Sequence, residues 1–294
     1  ATWDRRNGRV FRISHRSAKP VRHVDPHSLS SQQLVDVLSS SNAWQVRRAR
    51  RILAERRDKQ VIDQLRTLSQ NPDNPSLALQ ALWTLNTLGA FDQNRESSLL
   101  THQDPHIRAW TIRLIGDQGQ VTDENWQKLL SIAKTDTSPT VISQLASSAK
   151  QLPAKQSLAL VRALLDRSEF RNDPHIPLLL WWALERNAVS HSDEVLQVFT
   201  RPEDWQNPFL REVILGRLMR RYAGEGSNES LVACARLLAT APQDSERRRM
   251  LTELDAGLKM LGRERLPGLP LGPKYGNIAA ISRVEQTDQA TRLK

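Results

Sequence analysis

The apolar positions of this chain follow the period of amphipathic helices. From residue 28 onward they recur every three or four residues, most clearly in the second helix of each pair. Short segments rich in Asn, Asp, Gly and Pro separate the helical stretches. The pattern predicts seven helical pairs, at about residues 30–40 and 42–57, 59–70 and 75–88, 94–101 and 105–116, 123–134 and 139–151, 154–167 and 174–186, 191–199 and 208–222, and 228–240 and 243–262.

Prolines recur within this pattern at a nearly constant interval of 30 to 35 residues, at Pro75, Pro105, Pro139, Pro174, Pro208 and Pro242. Five of them follow a residue type that caps helix N-termini: Asn74, Asp104, Ser138, Asp173 and Asn207. Such a side chain accepts backbone N–H bonds, and proline suits the first helical position because its missing N–H needs no partner there. A series with this period predicts an array of helical-pair repeats.

An apolar residue followed by arginine recurs in the second helices, at Val46-Arg47, Ile107-Arg108 and Leu210-Arg211. The fullest copy, Asp104-Pro105-His106-Ile107-Arg108, resembles HEAT repeats, whose second helix often opens with D-P-x-V-R. The resemblance covers residues 28–262. It implies an all-α fold, a HEAT/armadillo-like superhelix of about six or seven helical pairs. It also implies that Arg47, Arg108 and Arg211 tie neighbouring repeats together, with Asp104 at the helix start.

The two ends of the chain depart from the helical pattern. Asn7-Gly8 is a turn signal, and residues 9–13 are β-prone, so a short extended segment is expected there. Residues 1–27 are interpreted as the end of a preceding β domain plus a linker. Residues 263–294 contain a Pro- and Gly-rich stretch and are interpreted as a linker or a truncated C-terminal segment.

The net charge of +10 is concentrated at the N-terminal end. Residues 1–59 carry a charge of +9, whereas residues 60–262 carry −2. The most basic cluster is Arg47, Arg48, Arg50 and Arg51, which on a helix is able to face phosphates or an acidic partner. A solvated helix face is the simpler interpretation. Aromatic residues make up only 5% of the chain and offer no evident platform for stacking bases.

The residues that usually carry chemistry are sparse. The single cysteine, Cys234, excludes a disulfide framework, a cysteine zinc site and a C-x-x-C-H haem motif within this chain, and it is predicted to be a small core residue. Seven histidines are scattered without a metal-ligand pattern, and no hydrolase-type motif occurs. No apolar run is long enough to cross a membrane, and residues 1–13 do not resemble a signal peptide. The prediction is a non-catalytic domain without cofactor or metal.

Three segments together show a closer resemblance. Residues 2–13 resemble the last strand of a β-propeller, Leu34-Val-Asp-Val-Leu with residues 42–51 resembles the helical pair that follows it, and residues 172–185 resemble a middle repeat. The family is that of the membrane-bound dehydrogenases of planctomycetes and related bacteria. Its members join a sorbosone-dehydrogenase-like propeller, HEAT repeats and a c-type cytochrome domain in one exported chain.

The resemblance implies a helical spacer between the propeller and cytochrome domains of a protein that is periplasmic or otherwise exported. Its partners would be the flanking domains of the same polypeptide or another protein. The propeller active site and the haem motif are absent from this sequence, so the redox step would lie outside it. Two alternatives stay open. One is a nucleic-acid-binding HEAT-like protein that uses Arg47, Arg48, Arg50 and Arg51; the other is a protein–protein scaffold with no redox connection.

Overall fold

The structure of the chain is a computed structural model that describes residue 13, residues 15–17 and residues 25–263. These residues form α-helices joined by short turns, and the described part contains no β-strand. The chain divides into two compact units, residues 1–61 and 62–294. The predicted strand at residues 9–13, apart from its last residue, and all but the first residue of segment 263–294 lie outside the described part.

A helix lies at each of the fourteen predicted positions, which confirms the all-α prediction. In the first unit these are α1 (Ser31–Val37) and α2 (Ala43–Arg56). In the second unit they are α3 (Ile62–Ser69), α4 (Pro75–Thr87), α5 (Gln93–Leu99), α6 (Pro105–Gln118), α7 (Asp123–Thr135), α8 (Pro139–Ala149), α9 (Ala154–Leu165), α10 (Ile176–Ala188), α11 (Ser192–Phe199), α12 (Gly216–Glu225), α13 (Asn228–Ala239) and α14 (Asp244–Arg263). A π-helical segment, Leu210–Leu215, runs directly into α12.

The first unit is a helical hairpin. Ser30 and Gln33 form a reciprocal capping box at the start of α1, which satisfies two backbone N–H groups that the helix leaves without partners. Asn42 caps α2 in the same way, by accepting from the N–H groups of Trp44 and Gln45. The apolar face of α2 is buried and packs against α1. Arg57 ends α2 in a left-handed conformation with φ of 51°.

In the second unit the helices pack in two rows. The second helices of successive pairs pack on one another in chain order: α4 on α6, α6 on α8, α8 on α10, α10 on α12 and α12 on α14. The first helices do the same from α5 through α7, α9 and α11 to α13. Apolar side chains from Leu100 to Met250 form one buried cluster between these rows. Each pair thus buries its apolar face against its neighbours.

The predicted caps occur with one exception. Asn74, Asp104, Asp173 and Asn207 each accept a hydrogen bond from a backbone N–H at a helix start. The prediction for Ser138 was wrong, because its side chain makes no cap hydrogen bond. Its own N–H donates instead to the carboxylate of Asp136, at 2.9 Å, so the polar side chain that organises this turn comes two residues earlier.

Among the described helices, none combines the length and the apolar character that crossing a bilayer requires.

Candidate interaction surfaces

Two residues of the basic cluster of α2, Arg47 and Arg51, lie on the face opposite its buried residues. Val46, Ala49 and Leu53 are buried, so the 100° helical period directs Arg47 and Arg51 outward, and both are exposed. Arg51 donates to Glu55 at 2.8 Å, one turn further along the helix. Trp44 lies one turn before Arg47 and Arg48 and is 51% exposed. We call Trp44, Arg47 and Arg51 the α2 surface.

Two other arginines of α2 act inside the first unit. The guanidinium Nη2 of Arg48 lies 2.7 Å from the imidazole Nε2 of His27. Arg56 donates to the backbone carbonyls of Leu29 and His27, at 2.8 and 2.9 Å. These contacts hold the segment before α1 against α2. Arg48, which sequence reasoning grouped with the phosphate-facing residues, is therefore engaged within the unit.

Arg50, the fourth member of the predicted cluster, is on the flank of α2. Burial, together with repulsion from the positive charge of Arg47, lowers the pKa of its guanidinium below the usual value. The four predicted residues thus occupy different environments, and Arg47 and Arg51 are the two whose side chains the structure leaves facing solvent.

Arg108, the arginine of the fullest repeat copy, connects the loop before α6 to the loop after α7. Its guanidinium makes two hydrogen bonds to the carboxylate of Asp136, at 2.7 and 3.0 Å. It also donates to the carbonyls of His102 and Gln103, at 2.8 and 2.9 Å. The Arg108 and Asp136 side chains are only 16% and 7% exposed. Asp104 meanwhile caps α6 through the N–H groups of His106 and Ile107.

Arg211 occupies the same position relative to its proline but has a different environment. It lies in the π-helical segment, and its guanidinium pairs with Glu212, its neighbour in the chain, at 3.2 Å. Both side chains are more than one third exposed. The C-cap residue of α7, the first helix of the pair after Arg108, is Asp136. The C-cap residue of α13, the first helix of the pair after Arg211, is Thr240. The repeat motif therefore places Arg108 and Arg211 in unlike contacts.

A further buried ion pair was missed at the sequence level. Asp204 is fully buried and pairs with Arg162, which lies 42 residues earlier. It also accepts from the N–H of Arg201 at 2.9 Å. Burial lowers the pKa of the Arg162 guanidinium, but the hydrogen bond that Arg162 donates to Asp204 and the negative charge of Asp166 outweigh it, so the pKa is raised. Only proximity in the fold identifies this pair.

A groove lies between α10, α12 and α14 in the second unit. It has a volume of about 430 Å³, and its walls include Trp181, Glu185, Arg217, Arg221, Glu225 and Met260. We call it the α10–α14 groove. Pockets of this size are in the range that accommodates small ligands or one or two side chains. Sequence reasoning did not single out the arginines of α12, although Arg217, Arg220 and Arg221 are spaced for one helix face.

Most charges in the α10–α14 groove are mutually paired. Arg221 lies 3.1 Å from Glu225 and 3.8 Å from Glu185. Arg220 donates to Glu253 at 2.7 Å. The guanidinium of Arg217 lies over the ring of Trp181, 5.9 Å from its centroid. That distance is at the outer limit of a cation–π contact.

The reactive groups that remain among the described residues do not form a cluster. Cys234 is fully buried, as predicted, and burial raises the pKa of its thiol to about 12. A thiol with that pKa is a poor nucleophile at neutral pH because almost none of it is thiolate. Within residues 25–263, no three His, Cys, Asp or Glu side chains come together in a way that would hold a metal ion.

No protein-family model matches the chain, and no curated protein matches it significantly.

Proposed function

We propose that this chain is a non-catalytic HEAT-like repeat domain that holds its binding partners at a fixed separation. The observation that carries the proposal is the packing in residues 62–263, where each second helix lies on the second helix of the next pair. In such an array every repeat packs against its neighbours, so the distance between the two ends of the array is fixed. Its long, side-chain-rich surface is suited to protein contacts.

Ion pairs between successive repeats support a rigid rather than a flexible array. Arg108 with Asp136 and Arg162 with Asp204 are ion pairs between residues 28 and 42 positions apart, and both are largely buried. A buried carboxylate that loses its partner is strongly unfavourable, so these pairs oppose sliding of one repeat past the next. Rigidity of this kind is what a spacer requires.

The sequence resemblance supports a more specific role. In that role the domain separates a propeller dehydrogenase domain from a cytochrome c domain in an exported, periplasmic protein, and those flanking domains are its partners. The native protein tests this proposal. An antibody to this segment should isolate a polypeptide well above 33.4 kDa with a haem Soret band. A colourless product near 33 kDa would contradict the spacer role.

Deletion of one repeat tests the scaffold role directly. Removing residues 105–138 joins Asp104 to Pro139 and so preserves a cap followed by proline. It also removes Arg108 and Asp136 together, which leaves neither charge buried alone. We expect a lower helical circular dichroism signal in proportion to the lost helices and a retained cooperative unfolding transition. Loss of cooperative unfolding would show that the repeats are not modular.

Nucleic-acid binding is the second candidate, favoured by one observation: the α2 surface presents an exposed tryptophan beside two exposed arginines. Arginine contacts to phosphate release counterions, so the logarithm of the affinity falls by about 0.9 per contact for each unit of log salt. Titration of duplex DNA between low and moderate salt measures this slope. The salt dependence of DNA affinity should become weaker in a double variant that carries Arg47→Gln and Arg51→Gln, and it should not change in the exposed control Arg113→Gln. That result would favour nucleic-acid binding over the spacer role.

A further inference from the structure

The α10–α14 groove has one cation that its own walls do not neutralise. Arg220 and Arg221 both have carboxylate partners at hydrogen-bond or ion-pair distance. For Arg217, the described residues supply no carboxylate or hydrogen-bond acceptor, and its guanidinium lies over the Trp181 ring. Among the described residues, Arg217 is thus the arginine of this groove that has no ion-pair partner, while Glu185, Glu225 and Glu253 pair with the other two arginines.

The apolar part of the groove is unusually exposed for a helical core. Met260, on α14, is 52% exposed at the groove edge, and Trp181 lies below Arg217. Leu178 and Trp182 of α10 are 38% and 43% exposed. At 100° per residue they project within about 100° of Trp181, on the same side of α10. An apolar strip therefore extends from the groove along α10.

We propose that this groove binds a segment of a partner protein that carries a carboxylate next to a large apolar side chain. The carboxylate pairs with Arg217, whose planar guanidinium matches it with two parallel hydrogen bonds. The apolar side chain lies between Trp181 and Met260. Trp and Arg together are the residue types most enriched at energetically dominant interface positions.

Two features favour a polypeptide over a small carboxylate. The groove is open at its surface, and the strip formed by Leu178 and Trp182 continues beyond it, so an extended occupant covers apolar area that a small ligand leaves in water. The inference goes beyond the spacer role and does not depend on it. Failure of peptide binding at the groove would leave the repeat-deletion and native-mass results unaffected.

Selection from a random heptapeptide library against the full chain tests the proposal. We expect enriched peptides to carry Asp or Glu within two positions of an aromatic or long aliphatic residue. Their affinity should fall at least about tenfold in Arg217→Gln, a loss of about 1.4 kcal/mol. Arg217→Lys should retain part of it because the charge remains while the paired hydrogen bonds are lost.

The matched control is Arg113→Gln. Arg113 also lies over a tryptophan, at 4.8 Å from the ring centroid of Trp110, but outside the groove. Its substitution should leave peptide affinity unchanged. Selection of no peptide, of peptides without an acid, or of peptides that bind Arg217→Gln equally well would overturn the proposal. Thermal unfolding of each variant verifies that it is folded.

A photocrosslink identifies the occupant. With the photoreactive p-benzoylphenylalanine in place of Met260, irradiation with a selected peptide should join the peptide to the full chain. Crosslinking in the absence of peptide to residues 264–294 would assign the groove to the chain's own C-terminal segment. That result, like crosslinking to a second copy of the chain, would overturn the partner proposal.

Discussion

Arg108 and Arg211 both lie three residues after a repeat proline, yet they make different contacts. Arg108 is mostly buried and joins the loop before α6 to the loop after α7 through Asp136. Arg211 is in a π-helical segment and pairs with the adjacent and exposed Glu212. The repeat motif therefore fixes the position of the arginine at the start of the second helix, but it does not fix the partner of that arginine. The partner depends on the surrounding helices, which bring Asp136 of the next repeat to Arg108 but leave Arg211 paired with Glu212 of its own helix.

The two regions also differ in what holds the second helices together. Near α12 and α14 the contact depends on small residues. A Cβ on Gly257 would lie 2.5 Å from the carbonyl oxygen of Arg220 and 2.6 Å from the Cβ of Ala223. Between α6 and α8, a Cβ on Gly116 would lie 2.8 Å from the Cβ of Ser148. The closest approach at the α12–α14 boundary is thus to backbone and at the α6–α8 boundary to a side chain, and each boundary also carries an ion pair.

The largest expected effect comes from breaking the Arg108 pair. Arg108→Met leaves Asp136 buried without its cation, and such losses cost about 3–5 kcal/mol. Arg211→Met removes an exposed pair and should cost between 0 and about 1 kcal/mol. Urea unfolding followed by circular dichroism measures both values. Equal destabilisation by the two substitutions would show that the buried Arg108–Asp136 pair and the exposed Arg211–Glu212 pair contribute equally to the free energy of unfolding.

The second effect sharpens the role of small residues at the α12–α14 boundary. Gly257→Ala adds a methyl group against backbone and should destabilise the protein by about 1–3 kcal/mol, despite the higher helix propensity of alanine. Gly224→Ala at the same crossing is the control. Its Cβ would lie 3.7 Å from the nearest atom, the carbonyl oxygen of Gly257, which is an ordinary contact. A loss of stability in Gly224→Ala as large as in Gly257→Ala would refute the steric explanation.

The smallest effect concerns a hydrogen bond between α5 and α7, which joins the buried Ser97 to the exposed Glu124. The Ser97 hydroxyl donates to Glu124 at 2.5 Å, and this bond, followed by the contact with Lys128, holds the pKa of the Glu124 carboxyl below its usual value of 4.5. Because the folded-state pKa is lowered, the associated stability is present above about pH 4.5 and is lost as the pH falls through the folded-state pKa.

Ser97→Ala tests this linkage. We expect wild type to be slightly more stable than the variant at pH 6.5 and the difference to shrink at pH 3. Ser39→Ala is the control, since the Ser39 hydroxyl donates to the backbone carbonyl of Asp36, and a carbonyl does not titrate, so its effect should not change with pH. Urea unfolding at both pH values measures the difference. A difference that grew on acidification would reverse the assigned sign.

The positions of the helices follow largely from local sequence. Asn74 and Asp104, each followed by proline, fix where α4 and α6 begin, because capping and proline geometry act within one turn of the chain. The interaction surfaces were only partly predictable. Arg47 and Arg51 are exposed on the helix face that the period assigns to them, whereas Arg48 contacts His27, 21 residues earlier, a contact that no local pattern encodes.

By itself, the sequence determined the helical class, the repeat interval and the burial of Cys234, since each depends on periodicity or on a residue's own preference for apolar surroundings. Tertiary structure alone decided which charges are paired. Arg162 meets Asp204 across 42 residues, and the guanidinium of Arg217 lies over the Trp181 ring. The reason is physical: the energy of a charge depends on the distance and burial of its partner, and both are properties of the packed helices rather than of neighbouring positions in the chain.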